Sequence, residues 1–127
     1  MKNALMTTVL ILGFTSAASA ASAQKICFGM GDAKGEHMLI TATKTKVLIE
    51  KAVGDNIGEA KGAYEKDGEV KARDGKKYIS YNVELNEEGV ALLVDEALLK
   101  KGTKGYAKLR WRAEGFTETD YFCKDAK

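Results

Sequence analysis

The sequence predicts an all-β domain, a small antiparallel β-barrel or β-sandwich of about seven to nine strands. Three observations carry this. Glycine is frequent, at 13 residues, while proline is absent, and the glycines separate short runs of alternating character, as in a meander of strands. Residues 78–85 alternate without a break, Ile79, Tyr81, Val83 and Leu85 on one face and Tyr78, Ser80, Asn82 and Glu84 on the other. The only two cysteines, Cys27 and Cys123, lie near opposite ends of the domain, so a bridge between them closes almost the whole chain into one loop.

The elements follow in order. Residues 24–30 read as a first strand with Ile26, Phe28 and Met30 on one face and Lys25 and Cys27 on the other. Residues 31–35 are a turn by composition, and 37–43 and 47–49 are strands, the latter a β-branched run. Residues 53–58 read as a loop. Asp67-Gly68 and Asp74-Gly75 mark two reversals, because Asp-Gly suits the positive φ angles of a tight hairpin turn. The first places a hairpin between 63–65 and 70–72. Residues 86–101 (NEEGVALLVDEALLKK) are ambiguous, since Asn86 with two glutamates suits a helix start but Val90 to Val94 leave no polar face. A buried strand over 90–94 and a short helical turn around 95–99 fit better than one helix through 87–100. Ala107, Leu109, Trp111 and Ala113 then alternate with Tyr106, Lys108, Arg110 and Arg112, and 116–123 return after a turn at Glu114-Gly115. The expected core draws on Ile26, Phe28, Val47, Ile49, Ile79, Tyr81, Val83, Leu92, Leu109 and Trp111.

The first 23 residues set the compartment. Lys2 precedes an apolar stretch over 4–14 (ALMTTVLILGF), and Ala18-Ser19-Ala20 and Ala21-Ser22-Ala23 each offer an A-x-A cleavage site. Together they read as a cleaved secretory signal peptide, too short to span a bilayer core of roughly 30 Å. Residues 24–127 are then a single exported domain, periplasmic or extracellular, with no transmembrane anchor. In that setting the cysteines read as a stapling Cys27–Cys123 disulfide. With 20 basic against 18 acidic residues, no bulk charge points to nucleic acid, and no nucleic-acid partner is expected.

Catalytic patterns are weak. The domain after residue 23 holds one histidine, His37, and one serine, Ser80, and no nucleophile-elbow motif surrounds that serine. His37 reads as a solvated strand-start residue and Ser80 as a solvent-facing hydroxyl. A metal site would want clustered ligands, which are missing, as is any phosphate-binding glycine loop. No catalytic residue, metal or cofactor is therefore assigned. One surface feature stands out. Lys104, Tyr106, Lys108, Arg110 and Arg112 share one strand face, a basic ridge roughly 27 Å long at two-residue spacing. Glu84 and Glu118 on neighbouring strands are placed to neutralise part of it. Trp111 points the other way, into the core. The expectation is a non-catalytic exported binding module engaging an acidic protein surface or an anionic envelope polymer. The alternatives are a small envelope hydrolase whose carboxylates converge only in the fold, and a small secreted inhibitor of a host or prey enzyme.

Overall fold

A computed structural model describes residues 23–112, 115 and 117–126. Of the expected leader only Ala23 falls among them, and Ala113, Glu114 and Phe116 of the last turn lie outside them. Eight strands form one closed antiparallel barrel in sequence order: β1 (Gln24–Gly29), β2 (His37–Ala42), β3 (Lys46–Gly54), β4 (Gly58–Lys71), β5 (Lys77–Leu85), β6 (Glu88–Val94), β7 (Gly105–Trp111) and β8 (Thr117–Asp125). β8 pairs back on β1, so no sheet edge is left open. Short 3-10 turns cover Gly31–Ala33 and Glu96–Leu99.

The lumen is filled by side chains. Met38, Ile40, Val47, Ile49, Tyr81, Val83, Leu85, Val90, Leu92, Leu109, Trp111 and Tyr121 are all buried in one cluster. The outward face of β4 carries the exposed Glu59, Lys61 and Glu65. Apolar inside and charged outside is the inverse of a membrane-spanning barrel. The Cys27–Cys123 disulfide joins directly opposed residues of β1 and β8, with a Cα–Cα distance of 4.0 Å and a sequence separation of 96. It staples the seam where the first and last strands close the barrel.

Several expectations need correction. Ile26 and Phe28 are not core residues. Cys27 points into the lumen, so the two-residue period turns Ile26 half-buried and Phe28 46% exposed onto the outer wall. Asp67-Gly68 is not a hairpin turn. β4 runs straight through it, and Asp67 is the extra residue of a bulge between the pairs Lys66↔Tyr81 and Gly68↔Ser80. The bulge switches the alternation, since outward residues are odd-numbered up to Glu65 and even-numbered from Gly68, and this turns Val70 outward beside Tyr78. The real reversal lies between Lys71 and Lys77, around Asp74-Gly75. Asn86 does not start a helix. Asn86 and Glu87, with φ of 52° and 64°, are the two central residues of a tight β5–β6 hairpin whose flanks Leu85 and Glu88 pair. The strand over 90–94 and the helical turn after it stand as expected. Ser80 is buried, not solvent-facing. It points away from the lumen but lies under a second layer.

Candidate functional site

That second layer divides the outer surface into two unlike walls. On β5, β6 and β7 the outward face is apolar enough to need a cover, and residues 72–76 supply one. Ala72 packs with Tyr78, Ala91, Leu93 and the half-buried Val70 in a cluster separate from the lumen. This explains the unbroken run over 90–94: Val90, Leu92 and Val94 fill the barrel while Ala91 and Leu93 fill the outer cluster. Polar bonds clamp the cover. The Tyr78 hydroxyl donates to Asp74 at 2.5 Å, the Lys76 N–H donates to the same carboxylate at 2.8 Å, and Arg110 donates to the Lys71 carbonyl at 3.2 Å. Lys108 lies beneath, only 7% exposed. Its ammonium is 2.6 Å from Asp120, 3.7 Å from Asp74 and 5.8 Å from the centre of the Tyr78 ring.

These contacts move the titrations in physically readable directions. The Tyr78 hydroxyl, with help from the Lys76 N–H and Lys108, holds Asp74 below the usual carboxylate range against the opposing effect of burial. Burial and the bond to Asp74 push the Tyr78 phenol upward. Burial pulls Lys108 down, but Asp120 and Asp74 outweigh it, so the ammonium is stabilised.

Tyr106, Lys108 and Arg110 of the basic ridge face away from the lumen, while Lys104 and Arg112 lie just beyond the two ends of β7, and the five do not share one environment. Lys108 is enclosed as described. Arg110 is held by Glu118 through two donors at 2.7 and 3.2 Å. Arg112 lies 3.9 Å from Asp67 and 3.4 Å from Asn82 Oδ1. Glu118 thus takes the neutralising role its strand position suggested, and Glu84 does not. Lys104 and Tyr106 are exposed, and they belong to the other wall.

This second wall runs over β2, β1, β8 and β7 and nothing among the described residues covers it. Strand register sets His37, Phe28, Phe122 and Tyr106 in one row across four strands, and Leu39, Ile26 and Lys124 in the next. Phe28 is 46% and Tyr106 40% exposed. The Tyr106 and Phe122 rings meet edge-on with centroids 5.5 Å apart, and the Lys124 ammonium lies 6.0 Å from the Phe28 ring centre. Lys104 and Lys124 border a hollow of about 290 Å³ with Gly102, Thr103 and Asp125. The Asp125 carboxylate is already engaged by Lys25 at 2.5 Å and by the Gly102 N–H at 2.8 Å, with Lys25 holding it below its usual range. Neither Lys104 nor Lys124 has a carboxylate within ion-pairing distance among the described residues. One signal for this wall is legible in the residues: once Cys27 and Cys123 are read as facing the lumen, Phe28 and Phe122 must face out together.

Both barrel ends hold a buried ionisable group, and both groups are committed. At the end where β1 starts, Lys25 donates to the carbonyls of Lys100 and Thr103 at 2.9 and 2.7 Å, next to the buried Leu98 and Leu99. At the other end Glu36 accepts from the Tyr121 hydroxyl at 2.5 Å and from the Asn56 N–H at 2.8 Å. Gly54 allows this, because a Cβ there would sit 2.3 Å from the Glu36 side chain. A cleft of about 390 Å³ opens over Glu36 between the 31–36 and 53–59 segments, with Asp32, Asp55 and Glu59 at its walls. Both oxygens of its one buried carboxylate are thus engaged, and no group of three or more His, Cys, Asp or Glu side chains is placed to hold a metal ion among the described residues. In comparisons with known proteins, no family model, no curated protein and no solved structure matches the chain.

Proposed function

We propose that this is an exported, non-catalytic binding module that works through its outer wall, engaging a protein or an anionic polymer of the cell envelope. The observation that carries the reading is the uncovered wall, where Phe28 and Tyr106 stand exposed beside Lys104 and Lys124, cations with no carboxylate partner among the described residues. Exposed aromatic rings are enriched at recognition surfaces, free cations favour an anionic partner, and core side chains occupy the lumen. The leader pattern and the cysteine staple support export. The hydrolase alternative has less to stand on, because the cleft's buried carboxylate, Glu36, spends both oxygens on the scaffold.

Incubating the purified protein with isolated cell envelope tests the reading. It should be retained in the envelope fraction in a salt-sensitive manner, with no soluble fragment released over time. Release of sugar or peptide fragments at a catalytic rate would make it an enzyme. Recovery of all the protein in the soluble fraction would contradict the binding reading.

A further inference from the structure

The covered wall shows what settles on an outer face of this kind. There, residues 72–76 bring apolar Ala72 onto Leu93 and Tyr78 while Asp74 meets the cation Lys108 at 3.7 Å. The uncovered wall repeats the same chemistry without the lid: apolar Ile26, Phe28 and Phe122, with Lys124 set directly opposite Ile26 in register. We infer that the wall of β2, β1, β8 and β7 is the docking face for a segment of another protein, one that carries carboxylates interleaved with apolar side chains. This rests on the binding reading above and names the partner's chemistry.

Other occupants fit less well. The 1–22 segment of the chain itself is apolar but contains no Asp or Glu, so it has nothing to offer Lys104 or Lys124. A second copy related by two-fold symmetry offers only residues of this same patch, and the carboxylate that lines its hollow, Asp125, is already held by Lys25, so Lys104 and Lys124 gain no free partner from it. A bilayer is flat, whereas this face bends around four of the eight strands, so only a narrow strip touches a plane. Lys124 stands opposite Ile26 and 6.0 Å from the Phe28 ring centre, and immersion in hydrocarbon leaves that ammonium unpaired. A protein segment meets both conditions, wrapping the curve and placing a carboxylate in the hollow between Lys104 and Lys124. The edge-on Tyr106–Phe122 pair, at 68° between ring planes, also breaks the flat platform that a stacked sugar chain needs.

Photo-crosslinking in the producing cell tests this, with a benzophenone amino acid in place of Phe28 or Tyr106 and, as controls, in place of Lys61 on β4 or Arg112 just after β7. The expected result is one discrete protein adduct from positions 28 and 106, absent at 61, whose crosslinked peptide holds Asp or Glu next to apolar residues. Lys104→Glu with Lys124→Glu should cut the adduct about tenfold, the scale set by losing a charge pair at an interface. Thermal melting of the same variant verifies that the barrel is intact, and Lys104→Gln with Lys124→Gln gives a milder variant should the double Glu fail to fold. Adducts to phospholipid, or homodimeric adducts only, overturn the inference in favour of a membrane or self-association. An adduct at 112 but not at 28 or 106 overturns it while the binding reading survives. No adduct at any position sinks both.

Discussion

The two outer walls of this barrel pose the same physical problem and solve it differently. On β5 to β7 the apolar outward residues are buried under residues 72–76, and the cations there are paired with carboxylates. On β2, β1, β8 and β7 an apolar row stays open, and its lysines have no carboxylate partner among the described residues. The lid lies on one side because β4 is long and bulged, so that its last residues turn back over the neighbouring strands. What the contrast teaches is that an outward apolar face is no accident of composition here. Where the chain can cover such a face it does, with a specific charge clasp, and the open face carries the complement of that clasp.

Opening the disulfide should have the largest effect on this contrast. Replacing Cys27 and Cys123 by Ala removes the closure of a nearly chain-length loop, about 4–5 kcal/mol on chain-entropy grounds. Because that closure acts on the unfolded chain, every amide that exchanges through global unfolding loses protection. Hydrogen exchange should show a further loss in β1 and β8 relative to β5 to β7, because the bridge sits where β1 meets β8; uniform loss would make the two walls one cooperative unit.

Truncation on each wall comes next. Leu93→Ala should cost about 2–5 kcal/mol in denaturant unfolding, as for a buried core leucine, although this side chain points away from the lumen. Phe28→Ala should cost less than about 1 kcal/mol, since nearly half of the residue is already in solvent. Equal costs would mean that the walls do not differ in the way described.

Changes in pH act on both the lid and the lumen, with smaller effect. Burial raises Tyr81 from 10.0 to about 12, and Tyr78 and Tyr121 are raised as well. Between these pH values the unfolded chain releases phenolic protons that the folded barrel keeps, so stability declines as pH rises from 10 toward 12. Asp74 and Asp125 are lowered from 3.8, so their contribution is complete above that value and is lost as pH falls through their folded values. Denaturant midpoints followed against pH measure both limbs. At the acid limb Asp74→Asn should flatten part of the decline, and an unchanged curve would remove the aspartate clasp from the account.

Much of this architecture is legible in the residues. The unbroken alternation of β5, the apolar run of β6 and the alternation of β7 each encode a strand locally, and two cysteines near opposite ends of the domain encode the staple. The misread positions depend on distant partners. Asp67-Gly68 makes a turn or a bulge according to what lies opposite, and Tyr81 and Ser80 lie opposite. For β1, composition says which face is more apolar but not which face is inside, and here an apolar face points outward. The basic ridge was legible as an alternation, whereas the enclosure of Lys108 depends on how residues 72–76 fold back, which no local pattern carries.

The most direct test of the central claim compares two charge reversals, Lys104→Glu with Lys124→Glu on the open wall and Lys108→Glu with Arg110→Glu on the covered one, for melting temperature and envelope retention. The account predicts that the first pair melts as the unaltered protein does but loses retention. The second should melt lower, because it sets like charges against Asp120 and Glu118 under the lid. If the second pair instead kept its melting temperature and lost retention while the first retained both, the binding surface would be the basic ridge and the open wall would be inert.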